Sequence, residues 1–422
     1  MKVIESLNIK EKAYIEKLEN GLTIIIIPKE NTKKKYVIWG THFGSIDNRF
    51  IMPNTKQEVF VPDGVAHFLE HKMFEKPNGT NSLDTLMALG VDANAYTTNN
   101  HTAYLFECTN NFDEALNELM DYVQNPYFTD ENVEKEKGII GQEIMMYDDD
   151  PGWKLYMNAM DCLYKENPIK IDIAGTVESI SEIDKDVLYK CYNTFYHPSN
   201  MVFVVCGDVN PENMVNIIKS KLVNKENQAD IERIYPESEK EINKKYVEAK
   251  MEVSSPLFMI GYKDVTMQKE AVKKHIAIEI LLNMLIGKSS KLYAELYKEG
   301  ILLAEPDLDY ESAENYAHVL ISGQSKNPEK IKEELIKTVN EYKENLDEKH
   351  FNRIKKKVYG DYVAEYNSAS EIARMFLSDY FKGITPFDYI EQYNTVTIEY
   401  TKDILQEIFD EKNMIMSVVK EK

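Results

Sequence analysis

Two histidines and a glutamate occur in the chain at a spacing that suits metal chemistry. His67 and His71 are four residues apart, and Glu70 directly precedes the second histidine. On a helix, side chains at i and i+4 share a face, so both imidazoles and the carboxylate project from one narrow strip. A catalytic zinc takes imidazole and carboxylate ligands and keeps one position open. A further carboxylate beside it can accept a proton from the attacking water. The H-x-x-E-H spacing therefore predicts zinc-dependent hydrolysis.

The ordinary alternative is a core-facing helix that carries these side chains by accident. The neighbouring Phe68, Leu69 and Phe74 would suit such a helix. With 8 histidines in 422 residues, however, a histidine pair at this spacing with an acid between is rare by chance. The motif alone leaves both interpretations open.

A second candidate for metal chemistry is a pair of acids further along the chain. Glu136 and Glu143 are two helical turns apart in a helix predicted from Thr129 to about Tyr147, so they face the same way. Isoleucines at 139, 140 and 144 lie among them and indicate a half-buried helix. A half-buried carboxylate needs a partner, and a metal is one of the few that suit. The alternative is an acidic face in solvent.

The segments around the motif predict the elements that must position it. Apolar, β-branched runs predict strands over residues 22–28 and 36–44, and period-2 patterns predict strands over 93–98 and 102–108. Capping and turn residues delimit helices over 65–74 and 82–89. His101 falls in the turn between the last two strands, where we expect it to face solvent. The same expectation applies to the remaining histidines, at positions 42, 197, 275, 318 and 350.

The second half of the chain repeats the order of strands and helices without repeating the motif. A polar, charge-rich passage over residues 224–245 predicts a linker between a catalytic half, 1–223, and a degenerate half, 246–422. In the degenerate half a helix predicted from Lys269 to Leu285 ends in Leu-Leu-Asn-Met-Leu, which cannot bind a metal. The predicted fold class is α+β, with two similar α/β sandwich halves. Each would have a mostly antiparallel sheet covered by helices, and the first alone would carry the metal site.

Composition narrows the classes of partner and compartment. The net charge of −21 argues against binding to nucleic acid or to anionic membranes, because both need a basic surface. No apolar run is long enough to insert in a membrane. The four cysteines show no paired spacing and predict buried free thiols. We therefore expect a cytoplasmic protein.

Five segments together resemble the inverzincin peptidases of the pitrilysin, insulysin and mitochondrial processing peptidase group, in its bacterial half-length branch. His67 to His71 with Phe74-Glu75 is similar to the zinc helix of that group, and Val133 to Ile144 to its third-ligand helix. The other segments with family counterparts are 94–97 with 102–104, 172–180 and 195–201. The resemblance runs from about Gly21 to Asp208.

The resemblance implies a zinc metalloendopeptidase and a role for each candidate residue. His67, His71 and Glu143 would bind Zn²⁺, Glu70 would be the general base, and Glu136 would orient a ligand from behind. A peptide would add a strand along Asn94, Ala95, Tyr96 and Thr97.

Full-length relatives enclose their substrate between two such chain lengths. The resemblance thus implies a homodimer, or a heterodimer with a related subunit, around an enclosed chamber. The alternative is a catalytically silent homologue that binds peptides or scaffolds a peptidase complex.

The second half departs from the family pattern. Many relatives carry there an arginine, followed seven residues later by a tyrosine, that reach the substrate. Tyr297 occupies the arginine position, and Leu303 or Ala304 stands where the tyrosine is expected. Lys298 and Tyr310 are the nearby residues that could substitute.

Overall fold

The structure is a computed structural model that describes residues 1–30, 32–266 and 270–422. The chain forms two compact units. The first comprises Met1–Ile144, Ile171–Tyr235 and Glu365–Phe387, and the second comprises Met145–Lys170, Pro236–Ala364 and Asp388–Lys422. Each combines a sheet with helices, so the predicted α+β class is confirmed.

The elements are numbered in chain order. The strands are β1 (Lys2–Ser6), β2 (Glu11–Lys17), β3 (Thr23–Pro28), β4 (Lys35–Thr41), β5 (Arg49–Ile51), β6 (Glu58–Phe60), β7 (Asp92–Thr97), β8 (Thr102–Cys108), β9 (Met201–Gly207), β10 (Glu232–Arg233), β11 (Tyr246–Met251), β12 (Leu257–Asp264), β13 (Asp307–Ser312), β14 (Ala317–Gln324) and β15 (Met414–Glu421). The α-helices are α1 (Val65–Lys72), α2 (Ser82–Ala88), α3 (Phe112–Gln124), α4 (Asp130–Asp148), α5 (Pro151–Leu163), α6 (Val177–Ser181), α7 (Lys185–Phe195), α8 (Pro211–Lys221), α9 (Ala271–Leu285), α10 (Lys291–Lys298), α11 (Pro328–Glu344), α12 (Glu348–Glu365), α13 (Ala369–Phe381), α14 (Pro386–Gln392) and α15 (Ile398–Ile408). None of the helices in the described ranges combines the length and the apolar character that a membrane crossing needs.

The first unit is built on a seven-stranded sheet in the order β1-β2-β3-β9-β4-β8-β7. Every neighbouring pair is antiparallel except β3 with β9. The run Ile24 to Ile27 is buried on both faces, as expected for a strand inside a sheet with two covered faces. Strand β7 lies at the edge and is only partly buried. Its outer backbone groups pair with no other strand of the described chain.

The second unit has a five-stranded sheet in the order β11-β15-β12-β14-β13. Its pairs are antiparallel except β11 with β15. Helix α9, which stands in the chain order where the first unit has α1, has most of its residues buried. Its Leu281, Leu282 and Leu285 are buried, so this helix serves as core.

The two sequence halves exchange one helix each, a feature that the sequence does not predict. Helix α13 packs on β4 and β9 of the first unit, and α5 packs on β12 and β15 of the second. A central-strand glycine makes room in each case, since an added Cβ at Gly40 would meet Leu377 and one at Gly261 would meet Leu163. The compact units are therefore discontinuous in sequence, whereas the predicted boundaries at 223 and 246 follow chain order. Those boundaries remain a prediction about sequence halves.

Local differences from the predicted elements have simple causes. Strands β1 and β2 are not predicted from the sequence, because their residues are largely polar and partly exposed. The residues from Leu302 to Tyr310 predict a strand, but β13 begins only at Asp307, directly after Pro306, which cannot donate a backbone hydrogen bond to a sheet. Within the predicted linker, β10 pairs with β5. The predicted start of α9 at Lys269 lies outside the described residues.

Candidate metal centre

Helix α1 presents the two motif histidines from one side. The helix begins after Gly64, whose backbone is left-handed with φ 88°, and it buries Phe68 and Leu69 in the core of the first unit. His67 and His71 lie on the opposite side, with ring centroids 4.5 Å apart. The apolar stripe thus fixes the helix rotation that turns both imidazoles toward α4.

Helix α4 supplies two carboxylates to the same place. Its Ile140 and Ile144 are buried in the core cluster of the first unit, which sets the rotation of the helix. Glu143 Oε1 lies 3.8 Å from His67 Nε2, and Glu143 Oε2 lies 3.6 Å from His71 Nε2. The structure therefore brings the three predicted ligands together, although Glu143 is far from the histidines in sequence.

The residues present fit a zinc ion. Tetrahedral coordination with ligand bonds of about 2.05 Å requires neighbouring ligand atoms about 3.4 Å apart, close to the two distances just given. His67, His71 and Glu143 form the one group of its kind in the described chain, with ligand atoms within 4.8 Å of one another. Burial and the nearby His71 lower the pKa of His67 to about 3, so its imidazole is neutral and can bind a cation. Its Nδ1 is buried and finds no hydrogen-bond partner in the described residues.

Behind His71 lies a buried chain of charges. Glu136 Oε1 is 3.1 Å from His71 Nδ1, and Glu136 Oε2 accepts from Lys72 Nζ at 3.2 Å. Lys72 is fully buried and also pairs with Glu75 at 2.8 Å. Although burial opposes it, these contacts with His71 and Lys72 lower the pKa of Glu136. An ionised Glu136 can only accept, so it fixes the proton on His71 Nδ1 and leaves Nε2 free toward Glu143.

Glu70 lies beside the ligand group and outside it. Its Oε2 accepts a 2.6 Å hydrogen bond from Thr97 Oγ1. Burial raises the pKa of Glu70, while the Thr97 hydrogen bond opposes that shift. A raised pKa makes the Glu70 carboxylate a stronger base, and the Thr97 hydroxyl holds it in position to exchange a proton.

The predicted substrate strand is the edge strand β7. Thr97 faces Glu70, so the face of β7 that also carries Ala93 and Ala95 is turned toward α1. Asn94 is exposed, and Tyr96 lies on the other face, where its ring contacts His101. These four predicted residues thus divide between the two faces of the strand.

Several residues near the site differ from the sequence expectation. His101, expected in solvent, is buried, and so are His197 in the first unit and His318 in the second. Burial lowers the pKa of His101 to about 3. Lys72 contacts Glu136 and Thr97 contacts Glu70, and the motif predicts neither contact. The position of a charged Lys72 between apolar residues is the one feature of the sequence that indicates such a role.

In the second unit, Tyr297 and the possible substitute Tyr310 differ in exposure. Tyr310 is buried and donates to Asp264 Oδ2 at 2.8 Å, so its hydroxyl is already engaged. Tyr297, which stands at the arginine position, is 54% exposed.

The chain is similar to two family models and to a bacterial zinc protease. Residues 61–177 match the family described as Insulinase (Peptidase family M16), and residues 182–358 match the Peptidase M16 inactive domain. The chain is 39% identical over 412 residues to the zinc protease YmfH of Bacillus subtilis, covering 96% of each chain.

Solved structures give the same assignment. An M16-like peptidase from Alicyclobacillus acidocaldarius superposes with a TM-score of 0.93 at 33% identity, over 99% of this chain and 100% of that one. The periplasmic protease PqqL of Escherichia coli shares the fold, with a TM-score of 0.76 at 16% identity over 97% of this chain and 48% of PqqL. The chain under study belongs to the M16 peptidase family, among half-length relatives of pitrilysin.

Proposed function

We propose that this protein is a zinc metalloendopeptidase that hydrolyses peptides bound as an added strand. The observation that carries the proposal is the convergence of His67, His71 and Glu143 with Glu70 beside them. The relatives named zinc proteases support the same reaction class and the same metal.

Each residue has a role that its surroundings support. His67, His71 and Glu143 would hold a zinc ion, which when bound would supply a Lewis acid for the scissile carbonyl. Glu70 accepts the proton of the attacking water and delivers it to the leaving amine, while Thr97 holds its carboxylate in place. Glu136 keeps the proton of His71 on Nδ1, and buried Lys72 keeps Glu136 ionised.

Peptide binding is assigned to the outer edge of β7. An extended peptide would pair with the free backbone groups of residues 93–97, as in other cases of strand addition. One face of that strand already contacts Glu70 through Thr97, which would bring the peptide backbone near the metal ligands.

We further propose that the active species is a dimer, as homodimer or with a related subunit, that encloses the substrate in a chamber. The fold of this chain matches about half the length of PqqL, so a second copy could take the place of the other half.

The four free, buried cysteines support a reducing, cytoplasmic compartment.

The exposed Tyr297 and the match to the inactive domain favour a second candidate, a catalytically silent subunit that binds peptides. Incubation of the zinc-loaded protein with a peptide library separates the two. We expect cleavage by the wild type. The Glu70→Gln variant should retain its zinc and lose about 10²–10⁴ in rate, which is typical of removing a general base. Zinc binding without any turnover by the wild type would support the silent subunit. Cleavage by Glu70→Gln at the wild-type rate would refute the assigned base.

A further inference from the structure

The edge strand β7 has a second face, turned away from the metal ligands. Tyr96 pairs with Ala103 of β8, which pairs with Gly40 of β4, and Gly40 faces Leu377 of α13. Directly paired residues on neighbouring strands carry their side chains on the same face. Tyr96 therefore lies on the face covered by α13.

Helix α13 places a guanidinium against this face. The Arg374 Cζ lies 5.0 Å from the ring centroid of Tyr96 and 5.7 Å from that of Tyr36. Both distances are within the range of cation–π contact. The Arg374 side chain is half-buried, and the tyrosines hold it next to the edge where a peptide would pair.

The positive charge of Arg374 has no negative partner in the part of the chain that the structure describes. No described carboxylate lies within 4.0 Å of its nitrogens. Glu371, one turn earlier on α13, is exposed and forms no ion pair with Arg374, although its charge acts on the Tyr36 and Tyr96 hydroxyls. Asp92, on the same face of β7, is exposed four residues from Tyr96. In a chain with a net charge of −21, a half-buried guanidinium without a carboxylate is unusual.

A guanidinium that contacts tyrosines but no carboxylate, beside a substrate edge, is suited to bind a carboxylate. Its planar donor array matches a carboxylate in two parallel hydrogen bonds, and partial burial strengthens them. A strand added to β7 would run about 4.8 Å beyond it, with every second side chain on the α13 face. Such a side chain, opposite Tyr96 or its neighbours, would approach Arg374.

We propose that Arg374 is a specificity-determining residue that selects peptides with a carboxylate on the face of the bound strand opposite the metal. This inference rests on the proposed function, because it requires a peptide at β7. The carboxylate could be an Asp or Glu side chain or the C-terminus of the peptide, and both share the chemistry that Arg374 recognises.

The test uses the zinc-loaded full chain and one cleaved peptide from the library. Glu, Gln and Lys replace each position in turn, with blocked ends, and a free-acid version tests the C-terminal carboxylate. We expect kcat/KM to favour Glu over Gln about tenfold at alternate positions and not at the positions between. A preference confined to the free-acid version would identify the C-terminus as the group bound.

Variants of Arg374 then assign the preference to this residue. Arg374→Met should abolish it, Arg374→Lys should retain part of it, and Arg374→Glu should favour Lys instead. Arg353→Met removes the same charge from exposed positions of the second unit and should keep the preference. Dissociation constants measured in the Glu70→Gln background give the same comparison without turnover.

Two outcomes would overturn the inference and are distinguishable from failure of the proposed function. If the wild type cleaves or binds the Glu and Gln peptides equally well at every position, the inference is refuted directly, whether or not the variants fold. An unchanged preference in a folded Arg374→Met would do the same. If zinc-loaded wild type neither cleaves nor binds any peptide, the proposed function fails and this inference falls with it.

Discussion

At the scale of single residues, the candidate site is organised by groups that cannot touch the metal. Glu136 is buried against His71 and Lys72, and a buried carboxylate without these partners would be costly. Among the described residues, only the two imidazoles lie within ion-pair distance of Glu143. The two glutamates of α4 therefore have different parts to play.

Substituting the two glutamates separates those parts. Glu143→Gln should abolish or greatly weaken zinc binding, because it removes the charged ligand. Glu136→Gln should weaken zinc affinity about 10–100-fold, since it loosens the orientation of His71. Zinc competition with a chromophoric chelator measures both affinities. Full zinc affinity in Glu143→Gln together with loss in Glu136→Gln would reverse the assignment.

Buried neutral histidines give the protein an acid-sensitive stability. Burial, aided by the charge of Lys382, lowers the pKa of His101 to about 3, far below its ordinary value of 6.5. The unfolded state therefore binds a proton at this site between pH 6.5 and about 3 while the folded state does not. The free energy of unfolding is highest above that window and falls as the pH drops through it.

The variant His101→Asn should reduce the decrease of the unfolding free energy at acid pH. We expect the slope of unfolding free energy against pH, between pH 6 and pH 4, to decrease by up to about 1.4 kcal/mol per pH unit. Urea unfolding at several pH values measures it, and the region above about pH 7.5 serves as internal reference because neither state is protonated there. Parallel slopes in wild type and variant would contradict the assignment of a neutral His101.

At the scale of elements, the position of α1 depends on one close backbone approach. Gly64 ends the loop before the helix with φ 88°, and an added Cβ there would collide with the carbonyl oxygen of Ala174. Gly175, which has φ 77°, meets Asp63 from the other side. Two glycines thus allow the loop before α6 to support the start of the helix that carries His67 and His71.

Gly64→Ala should destabilise the protein and weaken zinc binding together. The backbone strain and the collision would cost about 1–3 kcal/mol and shift α1 relative to Glu143. Gly79→Ala is the matched control, because Gly79 also has a positive φ, of 79°, but no atom within 4 Å. Thermal unfolding and zinc affinity are the measurements. An equal effect of both substitutions would show that backbone strain alone is responsible.

At the scale of the whole molecule, one chain offers one metal group in its described part, in the first unit. In the second unit α9 is core, and Tyr297 stands at the position where the family resemblance predicts an arginine. In the proposed dimer, charge stabilisation and water exclusion around a peptide at β7 would come from the partner.

We accordingly expect specific activity to fall on dilution through the dissociation constant of a dimer. Light scattering and peptide cleavage across one dilution series measure mass and activity on the same samples. A stabilised dimer, cross-linked at high concentration, should keep its activity at all dilutions and serves as the control. Full specific activity from a monomer would show that the chain works alone.

The sequence by itself determined those features that depend on helical and strand periodicity. The spacing of His67, Glu70 and His71 and the two-turn spacing of Glu136 and Glu143 fix which side chains share a face, because backbone geometry sets that locally. The bounds of β8, Thr102–Cys108, coincide with the predicted ones. Four cysteines without paired spacing are indeed buried and free.

The tertiary structure alone decided which faces meet. An apolar stripe states that a helix is covered and leaves open which sheet covers it, so the exchange of α5 and α13 could not be read from chain order. For the same reason the sequence could not place Thr97 on Glu70, Lys72 behind Glu136, or Arg374 beside Tyr96. These contacts join residues far apart in sequence, and their geometry comes from how closely packed elements fit together.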